Sequence, residues 1–118
     1  MDPNDRVAVK LVDADFAILS ELRKGRNLAA NIADELDYSR KYINGRMSYL
    51  LSYDLVEKIG IKDSGLYQLT PRGFAAYKNR DKYRSDQYDR VEFGNLIDDF
   101  ASRVEYTPPQ FQVSDVEE

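Results

Sequence analysis

The sequence predicts a mainly helical domain with a small β-hairpin, followed by a C-terminal helix. Two patterns predict it. Apolar residues recur at three- and four-residue spacing over several segments, and a single pair of alternating segments flanks the turn Lys62-Asp63-Ser64-Gly65. Size agrees: 118 residues with 42% hydrophobic content suffice for one modest core.

The helices follow in order. Residues 13–24 place Phe16, Ile18, Leu19 and Leu22 on one side, with Asp13 or Asp15 able to cap the N-terminus. Gly25 ends this helix behind Arg23 and Lys24. Ahead of it, residues 7–12 are apolar and β-branched, compatible with a lead-in strand or with a helical extension. Asn27 can cap a second helix over 28–36, with Leu28, Ile32, Ala33 and Leu36 facing inward. Asp37-Tyr38 is a short connection, and Ser39 opens a third helix over 39–52 whose Ile43, Met47, Leu50 and Leu51 fall at i, i+4, i+7 and i+8. So brief a link makes the two helices cross steeply. Alternating residues 56–61 and 66–70 form the hairpin. Thr70-Pro71 starts another helix, Thr as cap and Pro at the first helical position, running towards Lys82 or Tyr83. Phe93, Leu96, Ile97, Phe100 and Val104 form the apolar stripe of the last helix.

Helix, helix, short turn, helix, hairpin, helix is the order of a winged helix-turn-helix. It is expected over 7–83, with a C-terminal helix over 86–105 and an acidic flexible tail over 106–118. The stripe Phe93, Leu96, Ile97, Phe100 and Val104 is expected to pair two copies into a homodimer; folding back onto its own domain is the other arrangement open to it.

Composition excludes several chemistries. With no Cys and no His, disulfides, Cys nucleophiles and His-dependent triads are ruled out. The carboxylate pairs Asp34-Glu35 and Asp98-Asp99 are adjacent and read as solvated faces. Neither a phosphate-binding Gly-rich loop nor a nucleophile elbow occurs. The chain is expected not to be an enzyme and to need no cofactor or metal. With no signal-peptide pattern at Met1 to Asp5 and no apolar run near 18 residues, it is expected in the cytoplasm, off membranes.

Charge is unevenly distributed: net −3 over 1–21, +6 over 22–84 and −7 over 85–118, summing to −4. A basic middle between acidic ends suits a nucleic-acid reader. On the third helix, burying Ile43, Met47 and Leu50 leaves Arg40, Lys41, Asn44, Gly45, Arg46 and Ser48 to face outward. Arg40 and Asn44, four apart, share a face. Arg pairs bidentately with guanine and Asn with adenine in the major groove, each good pair giving about 1–3 kcal/mol of discrimination. Ser39 caps the helix, and the capped N-terminus also favours a phosphate. Lys41 and Arg46 serve as phosphate clamps or base readers. Tyr42 is suited both to core packing and to reaching a phosphate with its hydroxyl. Lys58, Lys62 and Ser64 decorate the hairpin, where a wing touches the adjacent groove or backbone. Gly45 admits two readings, close approach to DNA or drift.

Three fragments carry a family resemblance. The run Ile32-Ala33-Asp34-Glu35-Leu36-Asp37-Tyr38-Ser39-Arg40-Lys41-Tyr42-Ile43 resembles an "IA..L..SR.YV" core. Leu50 followed by Asp54-Leu55-Val56-Glu57 resembles an "L...GLVE" junction, and Gly65-Leu66-Tyr67-Gln68-Leu69-Thr70-Pro71-Arg72-Gly73 a "GLYELT..G" return strand. Together, over residues 13–78, they resemble the archaeal winged-helix regulators of the phage phiH repressor-like group, similar in outline to MarR and ArsR proteins. Asp37 and Asp54 depart from that pattern, standing where glycine is common; Asp tolerates the same backbone angles. The resemblance implies a sequence-specific double-stranded DNA-binding regulator, a repressor reading the major groove with helix 39–52. A small-molecule effector is neither indicated nor excluded. The alternative is a winged-helix protein-interaction module in a larger complex.

Overall fold

The computed structural model describes residues 8–61 and 65–110. Along the chain run α1 (Asp13–Arg23), β1 (Asn27–Leu28), α2 (Ala29–Leu36), α3 (Arg40–Ser52), β2 (Val56–Lys58), β3 (Leu66–Leu69), α4 (Pro71–Lys78), α5 (Arg80–Arg84) and α6 (Arg90–Arg103). β3 lies between β1 and β2 in an antiparallel sheet, with Leu28 opposite Leu66 and Glu57 opposite Gln68. This is the winged helix-turn-helix arrangement.

Local capping chemistry sets several of the boundaries. Ser39 Oγ accepts from the Tyr42 amide at 3.0 Å, and Thr70 Oγ1 accepts from the Gly73 amide at 3.0 Å ahead of Pro71. At α6, Asp89 accepts from the Glu92 amide while the Glu92 carboxylate accepts from the Asp89 amide. Asp37 and Asp54 both adopt a φ of 60°, the left-handed region Asp tolerates.

Asn27 departs from its expected role. Asn27 and Leu28 pair with Tyr67 and Leu66, so α2 begins at Ala29 and Leu28 is exposed. The outer edge of β3 offers these two residues a ladder partner, and a sheet edge outcompetes a cap. The Asn27 side chain instead accepts from the Leu28 amide and from Asn31. Residues 8–12 are neither strand nor helix. Val9 and Leu11 are buried, and the Leu11 amide and carbonyl both bond to the Tyr83 hydroxyl. The helix expected to run on from Pro71 breaks at Asn79, whose side chain bonds back to the Ala75 carbonyl.

One core unites these elements. Ile18, Leu19 and Leu22 of α1 meet Ile32, Ile43, Met47, Leu50, Leu55 and Leu69. α6 folds back onto α4 and joins the same core. This corrects the expected dimerisation stripe: Phe93 and Ile97 are 0% exposed inside their own chain and are not available to a partner. Leu96 and Phe100 are half-buried against the core, and Val104 is 38% exposed. Two such buried side chains contribute about 1.5–3 kcal/mol each. Against a net domain stability of about 5–15 kcal/mol, α6 is integral to the fold rather than an appendage.

Arg72 reinforces the arrangement, donating to the Tyr53 carbonyl and, at 2.7 Å, to Asp98 of α6. Beyond α6, Tyr106 stacks on Phe74 with ring centres 4.3 Å apart, so the expected tail is tacked down at that point. Burial pushes the Tyr106 hydroxyl up to about 12, with Arg23 acting in the opposite direction. The rest of the expected tail, 111–118, lies outside the described residues, as does Val7.

Candidate nucleic-acid interface

The turn and helix expected to read DNA are built from the core outward. α2 ends at Asp37, the Tyr38 amide bonds to the Ala33 carbonyl, and α3 begins after Ser39. Ile43, Met47 and Leu50 are fully buried and fix which side of α3 faces the core. Arg40, Lys41, Tyr42, Asn44, Gly45, Ser48 and Tyr49 are consequently exposed.

This outer surface has two flanks. On one, Arg40 and Asn44 line a depression of about 230 Å³ together with Leu28, Ala29, Ala30 and Gly65, at the junction of α2 with the hairpin. The Arg40 guanidinium stands 3.8 Å from Asp34, with both side chains well exposed. An exposed pair at that distance contributes about 0–1 kcal/mol and leaves Arg40 able to reorient towards a ligand.

On the other flank, Ser39, Lys41, Tyr42, Gly45, Arg46 and Tyr49 line a groove of about 420 Å³. Here the structure removes one of the two readings of Tyr42 and corrects the one made for Arg46. Tyr42 does not pack into the core: it is 42% exposed, and its ring centre is 5.2 Å from that of Tyr38. Arg46 does not project outward. Its Nε donates to Asp15 Oδ1 at 2.8 Å and its Nη2 to Oδ2 at 2.7 Å, while the guanidinium lies 4.6 Å from the centre of the Tyr49 ring. Hydrogen bonding to Asp15 raises the Arg46 pKa above the ordinary arginine value. Asp15 is 0% exposed and also accepts from the Val12 amide, so one carboxylate starts α1 and clamps α3.

Lys58 is exposed at the end of β2, its ammonium 5.9 Å from the Tyr67 ring centre. Lys62 and Ser64 lie outside the described residues. Sequence reasoning passed over Tyr38, Tyr49 and the clamp. Tyr49 was signalled by its place seven residues after Tyr42, on the same helical side, and the clamp by Asp15 falling on the face of Ile18, Leu19 and Leu22.

No family model and no curated protein matches the chain. Among solved structures, the chain is similar to IdeR from T. acidophilum, at 18% identity and a TM-score of 0.48, covering 81% of this chain and 49% of that one. The chain thus spans about half the length of that protein.

Among the described residues no group of three or more His, Cys, Asp or Glu is placed to hold a metal ion. No described helix is long and apolar enough to cross a membrane.

Gly45 separates the needs of the fold from those of a ligand. Apart from its two chain neighbours and the backbone of α3 itself, a Cβ built there meets no atom within 4 Å, so packing does not require glycine. Gly45→Ala is expected to raise stability by about 1 kcal/mol through helix propensity, read as a higher urea midpoint. A lower midpoint would show that the fold itself uses this glycine.

Proposed function

We propose that this chain is a sequence-specific double-stranded DNA-binding regulator of the phage phiH repressor-like kind, acting as a repressor by occupying a promoter. The observation that supports it is the side-by-side exposure of Arg40 and Asn44 on α3, next to the hairpin, on a helix whose opposite side is locked into the core. An α-helix fits the major groove, where such a pair reads guanine and adenine edges. Lys41 and the capped N-terminus at Ser39 supply phosphate contacts, and Lys58 with the rest of the wing reaches the neighbouring backbone. Arg46 serves this reading indirectly, by fixing α3 against α1.

Enrichment of bound duplexes from a random pool, followed by polarisation titrations across salt, tests the proposal. Arg40→Ala and Asn44→Ala are expected to remove about 1–3 kcal/mol of discrimination each. Lys41→Ala is expected to weaken all duplexes evenly and to reduce the salt slope by about one. Failure to retain any duplex at low salt would overturn the reading. We propose that two copies act together through the outer edge of α6, where Leu96, Phe100 and Val104 remain partly accessible. Two half-sites about 34–36 Å apart in the enriched sequences are the expected signature.

A further inference from the structure

We infer that the second flank of α3 is a notch for the 5-methyl group of thymine, with Gly45 as its floor and Tyr42 and Tyr49 as its walls. The inference rests on the DNA-binding reading and names what its less polar flank recognises. On α3 the pair suited to bidentate base contacts, Arg40 and Asn44, lines the first flank. The other flank is chemically different: Tyr42 and Tyr49 are 42% and 54% exposed, and both line the groove that contains Gly45.

Three features make this groove a built surface. Apart from its two chain neighbours and the backbone of α3 itself, nothing lies within 4 Å of the position where a Gly45 Cβ would stand. Each ring is held by a neighbour, Tyr42 by Tyr38 at 5.2 Å and Tyr49 by the Arg46 guanidinium at 4.6 Å, itself fixed by the buried Asp15. The rim is cationic and polar, with Lys41 and the helix-capping Ser39 among its lining residues. A cationic rim around an apolar floor fits a polyanion that offers an apolar group. In the major groove of duplex DNA that group is the thymine methyl.

The experiment uses the full chain and duplexes enriched from a random pool, remade with uracil in place of every thymine. Base pairing is unchanged and only the methyl groups are lost. Wild type is expected to bind the uracil duplex about fourfold more weakly for each methyl seated in the notch, the equivalent of losing one buried carbon group. Gly45→Ala, which the fold accommodates, fills the floor and is expected to bring the thymine-to-uracil ratio close to one. Equal binding of both duplexes by wild type overturns the inference while leaving the regulator reading intact. Retention of the full preference by Gly45→Ala also overturns it, because the preference then comes from DNA shape or from another contact. A protein captured on Tyr42 and Tyr49, with duplex affinity unmoved by Tyr49→Ala, assigns the groove to that partner and overturns it too. Absence of binding to any duplex removes the regulator reading and this inference together.

Discussion

Arg46→Ala is expected to destabilise the domain by about 3–5 kcal/mol, although Arg46 lies on the helix proposed to read DNA. The reason is Asp15. Its carboxylate is completely buried and receives two hydrogen bonds from Arg46. Removing the guanidinium leaves the buried carboxylate with the Val12 amide in place of a charged partner, and breaking a pair whose carboxylate is buried carries a cost of that size. For a domain near 100 residues each kcal/mol lowers the melting temperature by about 4–8 °C, so the fall exceeds about 12 °C. The double variant Asp15→Leu with Arg46→Met removes both charges and is expected to recover most of the loss. If Arg46→Ala melts within about 4 °C of wild type, the clamp does not hold α3 to α1 in solution. The comparison also separates two roles for Arg46, since a mere phosphate contact would leave the melting temperature unchanged.

Gly73→Ala is expected to be as damaging, by about 3 kcal/mol or more. Gly73 lies in the first turn of α4, where the helix crosses the start of the hairpin. A Cβ there would stand 1.8 Å from the Leu55 carbonyl oxygen, 2.8 Å from its carbon and 3.2 Å from Leu69 Cδ2. Two of those atoms are backbone and cannot swing aside. The Leu55 carbonyl also accepts from the Thr70 amide, so moving it breaks the junction between β3 and α4. Displacing α4 in turn loosens α6, which packs on it. A denaturant midpoint well below wild type is the expected reading, and an unchanged midpoint would show that α4 is not seated as described. The contrast with Gly45→Ala is instructive: the same added methyl is expected to stabilise one helix and unseat another, because only one of the two glycines faces packed backbone.

Much of this architecture is legible in the sequence because it is local. Ser39 and Thr70-Pro71 sit within three residues of the amides they cap or the turns they start, and the spacing of Ile43, Met47 and Leu50 determines which side of α3 is buried. Features that depend on distant partners are not legible in this way. Asn27 has good capping chemistry, yet it pairs with Tyr67, forty residues away in sequence. Asp15 reads as a cap, and it does accept the Val12 amide, but its second partner is 31 residues distant. Phe93 and Ile97 form an apolar stripe whose periodicity is the same whether it meets a second chain or its own α4. Only the return of α6 onto the core decides between them. On the interface, the exposure of Arg40 and Asn44 follows from helical periodicity alone. The inward turn of Arg46 does not, since its position flanks the buried stripe and both directions are open until Asp15 is placed.

Amide chemical shifts of the isotopically labelled chain, followed as the enriched duplex is added, test the central claim most directly. The largest changes should fall on α3 from Ser39 to Ser48 and on the hairpin strands, with Arg40 and Asn44 among the strongest, while α6 stays nearly still. Changes confined to α5, α6 or the C-terminal segment, with α3 silent at saturating duplex, would contradict the claim that this helix is the reading surface.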